Sequence, residues 1–380
     1  MKKKFKKLVI LDKIILSNEQ WAQLRSLADE VVEYAGLTQK QVVEKLAKEQ
    51  DSDPGAVCFT ALAMEEVTIR ELNERLAGAD AVITCWTNIP DEVLRENPQI
   101  KYIGFWTNLV NHRINLSLAE KMGICITFIP DYGTTAVAEY VFSLLHALNR
   151  RVAKQAKDVV DGKWLYEHLK TALYVPSMDA IPYHTLHEKT LGIIGFGRIG
   201  QRVAKIAEGY GMNVLYYSLH RKEEKESARI RYAEMKDVLQ MSDIVTLHIS
   251  PYANVDQEGR ISIDDNLTKY AKVYDKPVIG REELAMIKDG AIFVNTSAGR
   301  LVDEDAMFDE AESGRIRVAA DVYRSNPDKK RIKQIIQKHG MGRNVFTLRG
   351  GWLTYESVLL KGDMLIGHLK NYLQEEKTNE

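Results

Sequence analysis

Three glycines with the spacing G-x-G-x-x-G, at Gly195, Gly197 and Gly200, sit in the stretch TLGIIGFGRIGQRVAKIAEGYGMNVLYYS. This pattern suits a dinucleotide. The first glycine makes a tight turn, the second lets a pyrophosphate approach the backbone, and the third lets a helix pack on the preceding strand. The helix begins at Arg198 and Ile199, whose end of the helix offers amides to phosphate charge. Where an NAD site places an acid for the ribose 2′-hydroxyl, the chain reads YYSLHRK. Ser218 stands near the acid's place, followed by His220, Arg221 and Lys222. A neutral hydroxyl beside cations suits a 2′-phosphate, so NADP(H) is expected over NAD(H).

A second stretch, FVNTSAGRLVD at 293–303, is an apolar strand running out into small polar residues. Strand exits are where α/β proteins usually keep their chemistry. Arg300 lies just beyond this one, but Gly299 invites a turn, and Arg300 reads as a surface residue at a helix start.

These residues need a scaffold, and the rest of the chain supplies one. Strand-like runs alternate with helical patterns at 7–11, 81–86, 102–106, 124–129, 190–196, 213–218, 244–250, 291–295, 318–323 and 345–348. That alternation predicts an α/β fold with doubly wound parallel sheets. Short helices are expected over DEVLRENP and LSLAEKMG. The longest helical pattern, 134–159, opens on a Thr cap and separates two sets of strands, which places a domain boundary near residue 131. Segments 165–189, 252–279 and 324–342 read as irregular excursions.

The 380 residues suit two domains, and 52 Lys+Arg against 53 Asp+Glu give no global charge to attract nucleic acid or an acidic membrane. Cys58, Cys85 and Cys125 are too widely spaced for a zinc site or a disulfide framework. We expect buried thiols in a reducing compartment and no bound metal. The basic start, MKKKFKKLVILDKIIL, reads as a first strand and not as a signal peptide, because Asp12 and Lys13 break the apolar run. No run of 18 apolar residues occurs, so no membrane partner is expected, and a cytoplasmic location is.

Several motifs together resemble the D-isomer-specific 2-hydroxyacid dehydrogenases over about residues 80–360. They are YGTTAVAEYVFSLLHALNRR, the glycine turn, the block LAMIKDGAIFVNTSAGRLVDEDAMFDEAESGRIRVAADVY, and NVFTLRGGWLTYES. The resemblance implies two Rossmann-like domains and a homodimer. A cofactor domain (132–350) would be inserted into a substrate domain (1–131, completed by 351–380), with a cleft between them. It also implies that His248 and Pro251 border the adenosine, that Asp321 lies near the nicotinamide, and that Asn295 and Thr296 occupy the strand-exit loop.

The resemblance fails at the family's three catalytic side chains. Its arginine position is Ala298, its histidine position is Arg349, and its glutamate position is Asn326. Guanidinium is no ordinary acid, but Arg349 can hold a carboxylate or stabilise an oxyanion. Tyr355, Tyr132 and His112 are candidate proton donors. The expectation is an NAD(P)-dependent oxidoreductase acting on a carbonyl, hydroxy or imine substrate other than an ordinary 2-hydroxy acid. The alternative is a dinucleotide-binding regulator or scaffold without catalysis.

Overall fold

A computed structural model describes residues 4–33, 67–85, 87–107, 113–162, 184–249, 276–324 and 327–378. They fall into two units, one holding the described residues up to Tyr132 and from Leu353 onward, the other those from Gly133 to Trp352.

The first unit is built on five parallel strands: β1 (Phe5–Ile10), β2 (Ala28–Glu33), β3 (Ala81–Thr84), β4 (Tyr102–Phe105) and β5 (Cys125–Phe128). Their order, β2-β1-β3-β4-β5, puts the reversal of winding between β1 and β3. Such a sheet is covered on both faces, so the inner strands are apolar throughout. Successive residues of β1 take opposite sides. Leu8 and Ile10 share a core with Tyr102 and with Leu365, Leu369 and Leu373 of the C-terminal helix Tyr355–Thr378. Val9 packs on the other face with Leu72 and Leu76 of α2 (Ile69–Leu76) and with Val93 and Leu94 of α3 (Asp91–Glu96). Helix α1 (Asn18–Ser26) is fixed by a capping box between Ser17 and Gln20, and α4 (Leu116–Lys121) by the Asn115 side chain.

The second unit opens with α5 (Thr134–Arg150) and α6 (Val152–Val160), followed by β6 (Thr190–Ile194), α7 (Arg198–Gly209), β7 (Asn213–Tyr217) and β8 (Ile230–Tyr232). It continues through α8 (Met235–Met241), β9 (Ile244–Leu247), α9 (Arg281–Met286), β10 (Ile292–Asn295), α10 (Glu304–Ser313), β11 (Arg317–Ala320), α11 (Lys329–His339) and β12 (Val345–Phe346). The seven strands run parallel in the order β12-β11-β10-β9-β6-β7-β8, a doubly wound sheet whose winding reverses between β6 and β9. No described helix is long and apolar enough to cross a membrane.

Four local expectations need correction. The pattern over 134–159 is two helices, broken at Arg151, whose φ of 48° lies in the left-handed region. Thr134 is not the cap: that position is Gly133, which has no side chain to bond with. The excursion 324–342 contains α11, capped by Asp328, whose carboxylate accepts the Arg331 amide at 3.0 Å. Edge strands β2 and β8 were not foreseen. β2 reads ADEVVE with most of its length open to solvent, and β8 has only three residues.

Candidate functional site

The glycine turn follows β6, at the carboxyl end of the second sheet and on its reversal point. Gly195 has φ +97°, and a Cβ there would lie 2.6 Å from the carbonyl carbon and oxygen of His248. No other residue fits. A Cβ at Gly200 would come 2.2 Å from the Gly195 carbonyl, so α7 packs closely on the turn. Gly197 differs, because nothing lies within 4 Å of where its Cβ would be. It is also the cap of α7 and bonds none of the helix's first amides through a side chain. A helix N-terminus without a capping side chain, beside open space, is what a pyrophosphate requires, so a dinucleotide fits here.

At the end of β7, Ser218 Oγ donates to the carbonyl of His220 at 2.6 Å and tightens the basic turn. Arg221 is exposed but engaged. Its Nε and Nη2 donate to the Glu226 carboxylate at 2.8 and 3.0 Å, and Glu223 lies 3.5 Å from Nη1. The Lys222 amide is fixed by the Tyr216 hydroxyl at 2.9 Å. No carboxylate replaces the absent acid at Ser218 itself.

The exits of β9, β10 and β11 carry the next group. His248 is buried, its Nε2 pairs with Thr246 Oγ1 at 3.0 Å, and burial pushes its pKa down to about 3, so the ring is neutral. Thr296 is also buried, with its hydroxyl unpartnered. The Asn295 Oδ1 accepts the Ser297 amide, and the Ser297 hydroxyl donates to the carbonyl of Ile249. An orphan hydroxyl at a strand exit, at the same carboxyl edge of the sheet as the glycine turn, is a further feature that a bound dinucleotide would complete. Beyond Ala298 the chain turns at Gly299–Leu301 and leaves Arg300 exposed.

Asp321 is a hub. Its carboxylate accepts Thr347 Oγ1 at 2.7 Å and the amides of Gly350 and Gly351 at 2.9 and 3.0 Å. Burial raises its pKa and these hydrogen bonds oppose the rise. The turn so held presents Arg349, an exposed residue with φ 53° whose Nη2 donates to the Tyr323 carbonyl at 3.0 Å. Among the described residues no carboxylate forms an ion pair with it.

The first unit has its own cluster at the carboxyl ends of its strands, around the reversal between β1 and β3. Asp12 accepts Thr84 Oγ1, the Cys85 amide and Thr87 Oγ1, each at 2.6 Å, and the Thr87 amide at 3.1 Å. Beside it lie Cys85, Trp106 and Tyr132 with Lys361 from the C-terminal helix. Lys361 Nζ stands 3.5 Å from the Trp106 ring centroid and 4.2 Å from that of Tyr132. Burial brings its pKa down to about 8, while burial lifts the Cys85 thiol to about 12 and the Tyr132 phenol above its ordinary range. The indole Nε1 of Trp106 is buried without a partner.

Lys361 was missed at the level of sequence, although a signal existed. It lies four residues before Leu365 and eight before Leu369, on the apolar stripe of its helix. Of the candidate donors, Tyr132 joins this cluster and Tyr355 is 76% exposed at the start of the C-terminal helix. His112, Pro251 and Asn326 lie outside the described residues.

The family profile "D-isomer specific 2-hydroxyacid dehydrogenase, NAD binding domain" matches residues 142–259 and 271–339. A glyoxylate reductase from Thermococcus litoralis is 35% identical over 67% of this chain and 70% of its own length. A hydroxypyruvate reductase from Blautia hydrogenotrophica is 29% identical over 82% of this chain and 87% of its own. Among solved structures, an acyclic imino acid reductase in complex with NADPH and D-Arg shares the fold with a TM-score of 0.66, at 23% identity and covering 97% of both chains.

Proposed function

This chain belongs to the D-isomer-specific 2-hydroxyacid dehydrogenases, a family of NAD(P)-dependent oxidoreductases, and from that premise we propose that it reduces a C=N bond next to a carboxylate, with NADPH preferred. One observation carries the reading. At the position where the family keeps its proton donor stands Arg349, a permanent cation turned toward the Tyr323 carbonyl. Reduction of a ketone leaves an alkoxide that needs a proton. Reduction of a protonated imine does not: hydride adds to carbon, the π pair moves to nitrogen, and the product is an amine. A site without a titratable acid at 349 suits the second reaction.

The bound dinucleotide supplies the hydride. The chain's own part is to hold the pyrophosphate on the amides after Gly197, to exclude other contacts at Gly195, and to anchor the substrate carboxylate. Ala298 cannot anchor it. Arg349 is the cation we assign to that task, because its planar fork matches a carboxylate. Tyr132 is the group we assign to any proton movement that a carbonyl substrate requires. Preference for NADPH is supported by Ser218, His220, Arg221 and Lys222 at the end of β7, and a homodimer belongs to the same proposal.

The test is oxidation of NADPH in the presence of a 2-oxo acid with and without an added amine. Turnover is expected only when the amine is present. Amine-independent reduction at about 1 per second or faster, an ordinary enzyme rate, would return the protein to carbonyl chemistry.

A further inference from the structure

A second group of cations lies at the opposite end of the same sheet from the glycine turn. Arg317 is the first residue of β11, Arg343 and Asn344 lead into β12, and Arg151 is the left-handed break between α5 and α6. The turn before β12 brings them together, for a Cβ on Gly342 would lie 3.3 Å from the Arg151 Cα. The three guanidinium groups are half-buried, and among the described residues none forms an ion pair. Arg317 Nη1 reaches only the side-chain carbonyl of Asn149, at 3.3 Å, and Arg343 Nη2 the backbone carbonyl of Gly314, at 2.7 Å. Burial, then Arg343 and Arg151, bring the Arg317 pKa down to about 10, and burial followed by Arg317, Lys189 and Arg151 depresses His184.

The unmet hydrogen-bonding groups are all donors. Arg343 Nε is fully covered and has no acceptor. Asn344 is 5% exposed, its Oδ1 accepts the Val318 amide at 2.7 Å, and that bond fixes the orientation of the amide. Its Nδ2 is then left buried without a partner. Like charges gathered without a carboxylate are unfavourable, and so are buried donors without acceptors. One kind of ligand relieves both: a group with several acceptor oxygens and negative charge.

We propose that Arg151, Arg317, Arg343 and the Asn344 amide form a binding site for a phosphate group, separate from the dinucleotide. Planar guanidinium forks match phosphate oxygens, and ligand binding to the folded state alone raises its stability.

Inorganic phosphate is the probe, with NADPH at saturation throughout so that the cofactor site is filled. Thermal unfolding is followed against phosphate, against glycerol 3-phosphate, and against chloride and acetate at matched ionic strength. A saturable rise in Tm is expected with phosphate, and the stronger of the two phosphate compounds identifies free anion or ester as the source. Arg317→Met should abolish the response and raise Tm in phosphate-free buffer, while Arg317→Lys should keep part of it. Arg151→Ser, at the helix break, is the second variant if the first does not fold. Equal responses to phosphate and acetate, or a full phosphate response in the variants, would overturn the proposal. So would loss of self-association in Arg317→Met without any phosphate effect, which would assign the cluster to an interface between copies.

Discussion

The backbone carbonyl of Asp321 accepts the amide of Arg349 at 2.9 Å, and the carboxylate of the same aspartate holds the next two amides. One side chain thereby sets the conformation of the whole turn on which position 349 is presented. Asp321→Asn replaces an acceptor by a donor facing backbone N–H groups. It should destabilise the fold by about 1–3 kcal/mol, the cost of leaving buried donors unsatisfied, as read from denaturant unfolding. A change within the scatter of a surface substitution would remove Asp321 from this role.

Arg349 and Ala298 stand at the two positions that the resemblance gives to the family's histidine and arginine. Placing those residues there, by Arg349→His with Ala298→Arg, should raise amine-independent reduction of glyoxylate by about a hundredfold or more, the low end of what one positioned acid contributes. Histidine tolerates the left-handed backbone at 349 better than most residues do. An unchanged rate, with cofactor affinity intact, would show that the turn does not place position 349 for catalysis.

Arg221 is tied to Glu226, which competes with any 2′-phosphate. Glu226→Gln should therefore tighten NADPH binding and leave NADH nearly unchanged, as measured by calorimetric titration. Arg221→Ala should erase the difference between the cofactors. Equal tightening of both by Glu226→Gln would mean that the pair acts only through the shape of the turn.

Acid should weaken the protein through His248. Its folded pKa, about 3, lies below the unfolded value of about 6.5, so between these the unfolded chain binds more protons. Stability is present above the unfolded value and is lost as pH falls through the window. His248→Asn should flatten that limb of the stability–pH curve. An unaltered limb would place the acid sensitivity elsewhere.

Lys361 gives the opposite limb. Its folded pKa, about 8, lies below the unfolded value of about 10.4, and wild-type stability should rise with pH across that interval. Lys361→Met should raise Tm at pH 7, by an amount that shrinks toward pH 10. A Tm difference that stays constant between pH 7 and pH 10 would place the titration elsewhere.

The cofactor half of the site was legible because its demands are local. Gly195, Gly197 and Gly200 act on residues within a strand, a turn and a helix, so their spacing alone carries the message. Ten strands announced themselves as short apolar runs for the same reason. Strand β2 did not, because an edge strand with one open face reads like a polar helix. Lys361 and the arginines at 151, 317 and 343 could not be grouped from the sequence, because each set converges from segments far apart in the chain. The break at Arg151 was equally hidden, since a left-handed arginine has no signature that glycine or proline would give.

Gln20 on α1 donates through its amide to the carbonyl of Leu359 at 2.8 Å and to Asp363 at 2.7 Å, across 343 residues in the latter case. A Cβ on Gly362 would fall 2.3 Å from the same amide, so the Gln20 side chain lies directly against the backbone of the C-terminal helix there. This has a consequence for biosynthesis. Strands β1 to β5 leave the ribosome before the second unit, yet the helix that covers Tyr102 and Leu8 is made after it. The second unit has all of its strands before that helix is translated. It can close while the first unit still has one apolar face bare.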